Sequence, residues 1–433
     1  MTVETIPNVR PRRLSKDEIE ANFADLHPPL SRSEALIEAD RCYFCYDAPC
    51  TTACPTGIDI PGFIQKIRSD NIRGSAQTIF RENIMGGMCA RVCPTEVLCE
   101  EACVRNTHEE KPVEIGLLQR YATDPVIDAG TQLFARAPSS GKKVAVVGGG
   151  PAGLSCAHRL AVLGHDVVIF NRDEKPGGLN EYGIAAYKTV DGFAQIEINY
   201  ILSVGGIDVK HRVTLGEDVQ LPELVRDFDA VFLGIGLGQS NDLGIDGEDK
   251  EGVINAIDYI AELRQADDKS KLPIGKTVVV IGGGMTAIDI AVQSRHLGAQ
   301  QVHMVYRRGP EKMSASVFEQ ALAQTSGVTI HHRAPPKRIL GGDHVTGVEF
   351  ETDDGKFVLY ADMVFKAIGQ QMKGIGDLDM DNGRMVVNDG HRTSHEKVWA
   401  GGDCVVGGDD LTVSAVQHGK LAAIDIDRYL REQ

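Results

Sequence analysis

The sequence predicts an α/β fold: a helical N-terminal domain followed by two Rossmann-like nucleotide-binding domains. Three observations predict it. A strand–glycine–helix–strand unit occurs twice, as "KVAVVGGGPAGLSCAHRLAVLGHDVVIF" at 143–170 and "TVVVIGGGMTAIDIAVQSRHLGAQQVHMVY" at 277–306. The region ahead of both has apolar residues at helical spacing and few β-branched runs. Eight of the ten cysteines fall between residues 42 and 103, inside that helical region.

At 433 residues the chain has room for two or three domains, each with its own core. The expected boundaries are 1–138 for the helical domain, 139–252 for the first part of the first nucleotide domain, 253–372 for the second, and 373–433 for a return to the first. "SRSEALIEADRC" and "IPGFIQKIRSDNIRGSAQTIF" supply helices, and "ARAPSSGKK" at 135–143 reads as a linker. Gly164 and Gly298 follow the two glycine-motif helices, where C-terminal caps are expected. "GGIDVKHRV", "DAVFLGIG", "GVTIHHR", "VTGVEFE" and "ADMVFKAIG" read as strands, and "LTVSAVQHGKLAAIDIDRYLREQ" as a closing amphipathic helix.

A formal charge of −16 argues against a nucleic-acid partner, which needs a basic footprint. "MTVETIPNVRPRRLSKDEIE" lacks the apolar core of a secretory signal, and no run approaches the roughly 20 apolar residues of a membrane span. The expectation is a cytoplasmic protein with no membrane partner, in which clustered cysteines mean metal or redox chemistry. Cys156 and Cys404 stand apart in apolar or glycine-rich contexts and read as packing residues.

In the first unit, Gly148-x-Gly150-x-x-Gly153 follows a strand and opens a helix with Pro151 and Ala152. The first glycine permits the turn, the second lets backbone approach a pyrophosphate, and the third lets helix pack on strand. Asn171 stands where an acid would hold a ribose; its amide can still accept from a hydroxyl. The second unit reads Gly282-x-Gly284-x-Thr286-Ala287, and Arg307 and Arg308 stand at its ribose-acid position. Paired guanidinium groups there suit a 2′-phosphate, hence NADP(H) over NAD(H); solvated surface charges are the plain alternative. Two dinucleotide sites in one chain call for different ligands, FAD on the first and nicotinamide on the second. "WAGGDC" at 399–404 fits this: a strand returning to the first domain would place Gly402 and Asp403 for the flavin's ribityl chain. The result is a glutathione-reductase-type arrangement, a flavin domain with a nicotinamide domain inserted.

The cysteines run Cys42-x2-Cys45-x4-Cys50-x3-Cys54-Pro and Cys93-Pro-x5-Cys99-x3-Cys103. Structural zinc sites show separated short-spaced pairs, and disulfides are disfavoured in a reducing compartment. Seven thiolates grouped as four and three, each group with a Cys-Pro, fit two iron–sulfur clusters better, including ligand sharing between runs.

Together these motifs resemble the family formed by the reductase half of dihydropyrimidine dehydrogenase, a separate small subunit in bacteria, and the small subunit of glutamate synthase. The resemblance spans the chain from about residue 30 through "RCYFCYDAPCTTACPTGIDIPGFI", "CARVCPTEVLCEEACVRN", "PVEIGLLQRYATD", "GGGPAGL", "PGGLNEYGI", "GGGMTAID" and "AGGDC". "DAPC" and "PVEIGLLQRYATD" favour the pyrimidine enzyme. The resemblance implies that Cys42, Cys45, Cys50 and Cys103 hold one 4Fe-4S cluster. It implies that Cys54, Cys93 and Cys99 hold another with Gln119 as the fourth ligand, a role for which Cys89 is the rival. Gly178, Leu179 and Lys188 are expected to line the flavin, a surface position being the alternative for Lys188. The implied function is electron input: hydride passes from NAD(P)H to FAD, and electrons pass through two 4Fe-4S clusters to a partner subunit carrying FMN and iron–sulfur centres, which reduces uracil or thymine. No Ser/His/Asp triad or catalytic thiol is apparent in this chain, so the pyrimidine chemistry is assigned to the partner. Delivery to a glutamate synthase large subunit is the first alternative, and a zinc-binding assembly protein is the alternative of another class. Met285, Ala185 and Asn171 depart from the family pattern, which more commonly has aspartate, proline and an acid there.

Overall fold

The computed structural model describes residues 13–372 and 375–433. These fall into two compact units, each with one parallel five-stranded sheet.

The larger unit comprises Leu26–Ile184, Asp191–Gln239 and Gln370–Gln433. Its sheet runs Val398–Ala400, Ala230–Leu233, Lys143–Val147, Asp166–Asn171, Ile207–His211, all parallel. The first four are near-continuous apolar runs ("VWA", "AVFL", "VAVV", "VVIF") because helices cover both faces of a parallel sheet. The strand at 398–400 joins this sheet and brings the segment after it to the edge of the first glycine turn. Behind that turn, helix Pro151–Val162 begins with proline at N1 and crosses the C-terminal helix Thr412–Arg431. The crossing is close: a Cβ at Gly419 would lie 2.1 Å from the Ala152 carbonyl oxygen, and Ser155 Oγ donates to the Val416 carbonyl at 2.7 Å.

The helical region belongs to this same unit. Ser31 caps helix Arg32–Asp40 through a capping box with Glu34. Asp59 and Asn71 cap helices Ile60–Arg68 and Ile72–Glu82 by accepting from the Gly62 and Gly74 N–H groups. Ile60, Phe63, Ile64 and Ile67 lie on one buried face, and with Ala76, Ile79 and Phe80 they join a core that continues through Val144, Val146 and Leu154. The cysteine-bearing helices and the first nucleotide sheet are therefore packed on one apolar interior. The expected linker at 135–143 is not free. Ala137 N–H bonds the Val162 carbonyl, Ser140 N–H bonds the Gly164 carbonyl, and Arg136 pairs with Asp166. A Cβ at Gly164 (φ +97°) would meet the Pro138 carbonyl at 2.3 Å, so this strap lies against the helix end.

The smaller unit comprises the described residues up to Asp25, Ala185–Val190 and Ser240–Gly369. Its sheet runs Val253–Asn255, Met363–Ala367, Thr277–Gly282, Gln301–Val305, Val328–His331, again all parallel, with an antiparallel three-stranded sheet beside it in sequence, Pro336–Gly341, Val345–Thr352 and Gly355–Tyr360. The two units repeat one plan: the glycine-motif strand is central, its second and third strands lie to one side, and a later strand lies to the other. The units divide near 240 and 369, and the smaller one also takes in the short helix Lys16–Asn22 and the segment 185–190, which local sequence pattern does not reveal.

Candidate functional site

The first cysteine segment is shaped by tight local turns. Phe44 adopts a left-handed backbone (φ 52°), and its N–H reaches Cys42 Sγ at 3.4 Å. Helix Pro49–Ala53 ends at Cys54, whose Sγ lies 3.3 Å from the buried Thr56 hydroxyl. In the second segment, helix Gly86–Val92 ends at Cys93, and a 3-10 turn, Thr95–Val97, leads to Cys99 and Cys103. Glu100 steadies the turn by accepting from Gly116 N–H at 2.9 Å.

The thiols fall into two electrostatic neighbourhoods that meet at Cys99, which lies within reach of both Cys54 and Cys50. Cys42 lies within reach of Cys45 and Cys103, and Cys50 within reach of Cys103 and Cys42. Cys93 lies within reach of Cys89, Cys99 and Cys54. Burial pushes the Cys50 thiol up to about 11 and raises Cys42, while Cys93 is raised first by its bond with Cys89 and then by burial. Burial also raises Cys99, with the Glu100 carboxylate adding to the effect. Thiols so disfavoured as free thiolates become good ligands only where metal charge replaces the missing solvation.

Cys54, Cys89, Cys93, Cys99 and Gln119 wall one pocket, with Ile58, Ile60, Leu98 and Ile115 as its apolar lining. Gln119 is buried, and its Nε2 donates to the Gly86 carbonyl at 2.7 Å, which leaves the amide oxygen for the pocket. Among the described residues no three of His, Cys, Asp or Glu converge on one point as the ligands of a single ion do. The thiolates of a cubane each bind a different iron and stand farther apart. The donor set, its burial and its apolar lining fit an iron–sulfur group.

The first glycine turn is sterically compulsory. A Cβ at Gly148 (φ +99°) would lie 2.2 Å from the Gly234 carbonyl oxygen, and one at Gly153 would lie 1.9 Å from that of Gly148. At Gly150 the nearest atom to such a Cβ is Gly178 Cα at 3.8 Å, so backbone there is open to a ligand, with the Pro176–Gly178 loop as its far wall. Leu179 begins the short helix after that loop and is exposed. Asn171 is buried and largely engaged: its Oδ1 accepts from Gly149 N–H, and its Nδ2 donates to the Asp173 and Lys175 carbonyls. It braces the turn and the loop after its strand. Gly402 (φ +93°) faces Ala152, and its N–H donates to His418 Nδ1 at 3.2 Å. Beside it, burial and then the Asp410 charge push Asp403 up to about 6. Arg384 offsets only part of that rise, and a mostly buried carboxyl of this kind is suited to accept from a ligand hydroxyl. This cradle fits a flavin dinucleotide.

In the second turn a Cβ at Gly282 would lie 2.2 Å from the Ala367 carbonyl oxygen, while Ala287, in the third-glycine position, is fully buried. Gly284 is the N-cap of helix Met285–His296, with Met285 and Thr286 half-buried in its first turn. The Tyr306 ring fills the space a Gly283 side chain would take, at 2.4 Å, and its hydroxyl donates to the Lys312 carbonyl at 2.6 Å. Arg307 and Arg308 follow immediately and are exposed.

Of the two positions expected for Lys188, beside the flavin or at the surface, the structure removes the second. Lys188 is buried, and its ammonium is committed within the smaller unit to Asp289 Oδ1 and Glu319 Oε1, both at 2.7 Å. Despite burial, these two carboxylates raise its pKa. The neighbouring Ala185 N–H donates to Asp289 Oδ2 at 3.2 Å, a bond the family's more common proline could not make. Glu197, which the sequence reading passed over, is fully buried and accepts from the Gly87 and Met88 N–H groups at 2.8 and 3.1 Å, anchoring the cysteine helix. The available signal was a carboxylate on the apolar face shared by Phe193, Ala194, Ile198 and Ile201.

Two family models match: dihydropyrimidine dehydrogenase domain II, 4Fe-4S cluster, over residues 19–131, and pyridine nucleotide-disulphide oxidoreductase over residues 142–419. The chain is 34% identical to an NAD-dependent dihydropyrimidine dehydrogenase subunit PreT homolog of Salmonella typhi, covering 95% of this chain and 98% of that one. It is equally 34% identical to the glutamate synthase [NADPH] small chain of Escherichia coli K12, covering 98% and 96%. Among solved structures, Mycobacterium tuberculosis FprA in complex with NADPH superposes with a TM-score of 0.57 at 18% identity, covering 68% of this chain and 85% of that one. Thioredoxin reductase of T. acidophilum superposes at 0.54 and 21% identity, covering 66% and 99%. These two likenesses are of fold.

Proposed function

The chain belongs to the pyridine nucleotide-disulphide oxidoreductase family, in the group that joins this fold to a 4Fe-4S domain, and from that premise we propose that it is the electron-input subunit of a dihydropyrimidine dehydrogenase. In this reading it oxidises NAD(P)H and delivers electrons to a partner subunit carrying FMN and iron–sulfur centres, which reduces uracil or thymine reversibly. The observation that carries it is the packing of both cysteine sets on the same core as the first glycine turn, so that a flavin cradle and iron–sulfur ligands share one compact unit.

When bound, FAD supplies the conversion between two-electron and one-electron transfer, and 4Fe-4S clusters supply one-electron carriage. The chain's own residues do the holding. Gly148, Gly150 and Gly153 with Pro151 and Ala152 present backbone to a pyrophosphate at a helix start. Gly402 and Asp403 receive a ribityl hydroxyl, Gly178 and Leu179 wall the flavin, and Asn171 keeps the turn in shape. Gly282, Gly284, Thr286 and Ala287 form the nicotinamide dinucleotide's cradle. Cys42, Cys45, Cys50 and Cys103 would hold one cluster, and Cys54, Cys93, Cys99 and Gln119 the other, the latter against the apolar walls of Ile58, Ile60, Leu98 and Ile115.

One observation favours a second reading. Arg307 and Arg308 suit NADPH, the coenzyme in the glutamate synthase relative's name, whereas the pyrimidine relative is named as NAD-dependent. Isolation from the source organism with whatever subunit co-purifies separates the two. Uracil-dependent oxidation of NAD(P)H by that complex is expected; oxidation that depends instead on glutamine and 2-oxoglutarate would replace the pyrimidine reading with the glutamate one.

A further inference from the structure

We propose that Arg333 is the third member of a guanidinium clamp, with Arg307 and Arg308, for the phosphomonoester that distinguishes NADP(H) from NAD(H). The inference rests on the reading of the second glycine turn as the nicotinamide dinucleotide site.

The parallel strands Gln301–Val305 and Val328–His331 are neighbours, and their pairing continues past both ends. Tyr306 N–H bonds the His331 carbonyl at 2.8 Å, Arg333 N–H bonds the Arg308 carbonyl at 2.9 Å, and Ala334 N–H bonds the Tyr306 carbonyl at 3.2 Å. Arg333 is thus tied directly to Arg308, although 25 positions separate them in sequence. The Tyr306 ring, packed on Gly283, fixes this pair of strand ends at the glycine turn.

Three further features set Arg333 apart from an ordinary surface arginine. All three arginines are exposed, and among the described residues none has an ion pair, whereas Arg338, Lys337 and Lys356 nearby are each matched to Glu349 or Glu351. The loop 306–316 and the segment 331–335 carry Arg307, Arg308, Lys312 and Arg333 against the single carboxylate of Glu311, a concentrated positive field in a chain of net charge −16. Finally, Arg333 has φ +55°, a left-handed turn that recurs after the third strand of the larger unit at Arg212 (φ +57°), but Arg212 is paired with Glu174 at 2.9 Å whereas among the described residues Arg333 has no such partner. A long cationic side chain held there at a backbone cost, next to two more, is suited to a dianionic phosphate approached from several sides, because planar guanidinium groups bind such oxygens in pairs.

The left-handed backbone gives the test a clean variant, since Arg333→Gly removes the cation and relaxes the chain at the same time. The holoprotein is assayed with NADPH and NADH against ferricyanide, and with 2′,5′-ADP, 5′-AMP and inorganic phosphate as competitive inhibitors. Loss of one charge-assisted contact predicts that Arg333→Gly lowers the NADPH:NADH ratio of kcat/KM about tenfold, chiefly through the KM for NADPH. Inhibition by 2′,5′-ADP should weaken by the same factor relative to 5′-AMP, and Arg333→Lys should restore part of it. If the parent protein shows no preference for NADPH and 2′,5′-ADP is no better than 5′-AMP, the coenzyme reading itself falls. If Arg307→Ala/Arg308→Ala abolishes a preference that Arg333→Gly leaves intact, the coenzyme reading stands and Arg333 is excluded from the clamp. Equal losses with both coenzymes, or inhibition by free phosphate that matches 2′,5′-ADP, would also overturn the proposal.

Discussion

Replacing Glu197 by Gln should stabilise the protein, by an amount that grows as pH rises from about 4.5 to about 8. The carboxyl is fully buried, its Oε1 accepts from Gly87 and Met88 N–H, and its Oε2 has no hydrogen-bond partner. Burial pushes it up to about 8, against an ordinary 4.5; the two N–H donors and the Arg91 charge offset only part of that. The folded protein therefore binds a proton that the unfolded chain releases. The resulting stability is complete below about pH 4.5, declines as pH rises, and is gone above about pH 8. A gap of about 3.5 pH units at ~1.4 kcal/mol each gives a loss of roughly 5 kcal/mol across that window. Glu197→Gln keeps the acceptor oxygen for both N–H groups and cannot ionise. Thermal unfolding can be followed through Trp399, the chain's single tryptophan, which is fully buried in the same unit as Glu197. Variant and parent should unfold together near pH 5. By pH 8.5 the variant should unfold on the order of 5–10 °C higher, at about 2 °C per kcal/mol for a unit of this size. An equal difference at every pH, or a variant less stable at pH 8.5, would refute the assignment of a neutral buried carboxyl.

Two further outcomes follow from buried polar groups. Lys188→Met should destabilise the smaller unit by about 3–5 kcal/mol, because it removes the buried cation that Asp289 and Glu319 share, and adding Asp289→Asn and Glu319→Gln should recover most of that loss; hydrogen exchange over helices Met285–His296 and Val317–Thr325 reads it, and an unchanged exchange rate in the single variant would contradict it. Gln119→Ala should change the paramagnetic resonance signal of one cluster and leave the other intact; no change in either would reduce Gln119 to a brace for the Gly86 carbonyl.

The parts legible in the sequence are those whose physics is local. Gly148 and Gly153 admit no side chain, so the turn they form can be read from a handful of letters. The parallel strands around them are legible because burial on both faces demands unbroken apolar runs. The cysteine spacings show that thiols converge, since only chemistry at a common centre accounts for so many within sixty or so residues. What stayed hidden depends on partners far along the chain. Lys188 looks like any exposed lysine until helices carrying Asp289 and Glu319 close on it. Arg333 reaches Arg308 only through the register of two neighbouring strands, and Glu197 reaches Gly87 and Met88 only across packed helices. The 135–143 stretch has the composition of a linker but is held by backbone hydrogen bonds to Val162 and Gly164, which no composition encodes.

The central claim is that two interlocked cysteine sets hold two 4Fe-4S clusters, with Cys103 completing a site begun at Cys42. Iron, zinc and acid-labile sulfide are to be measured on anaerobically purified protein and on its Cys103→Ser variant, alongside the reduced resonance spectrum. The account predicts about eight irons and eight sulfides per chain in the parent and about four of each in the variant, with one cluster signal retained. Stoichiometric zinc in the parent, or a variant that keeps all its iron, would contradict it.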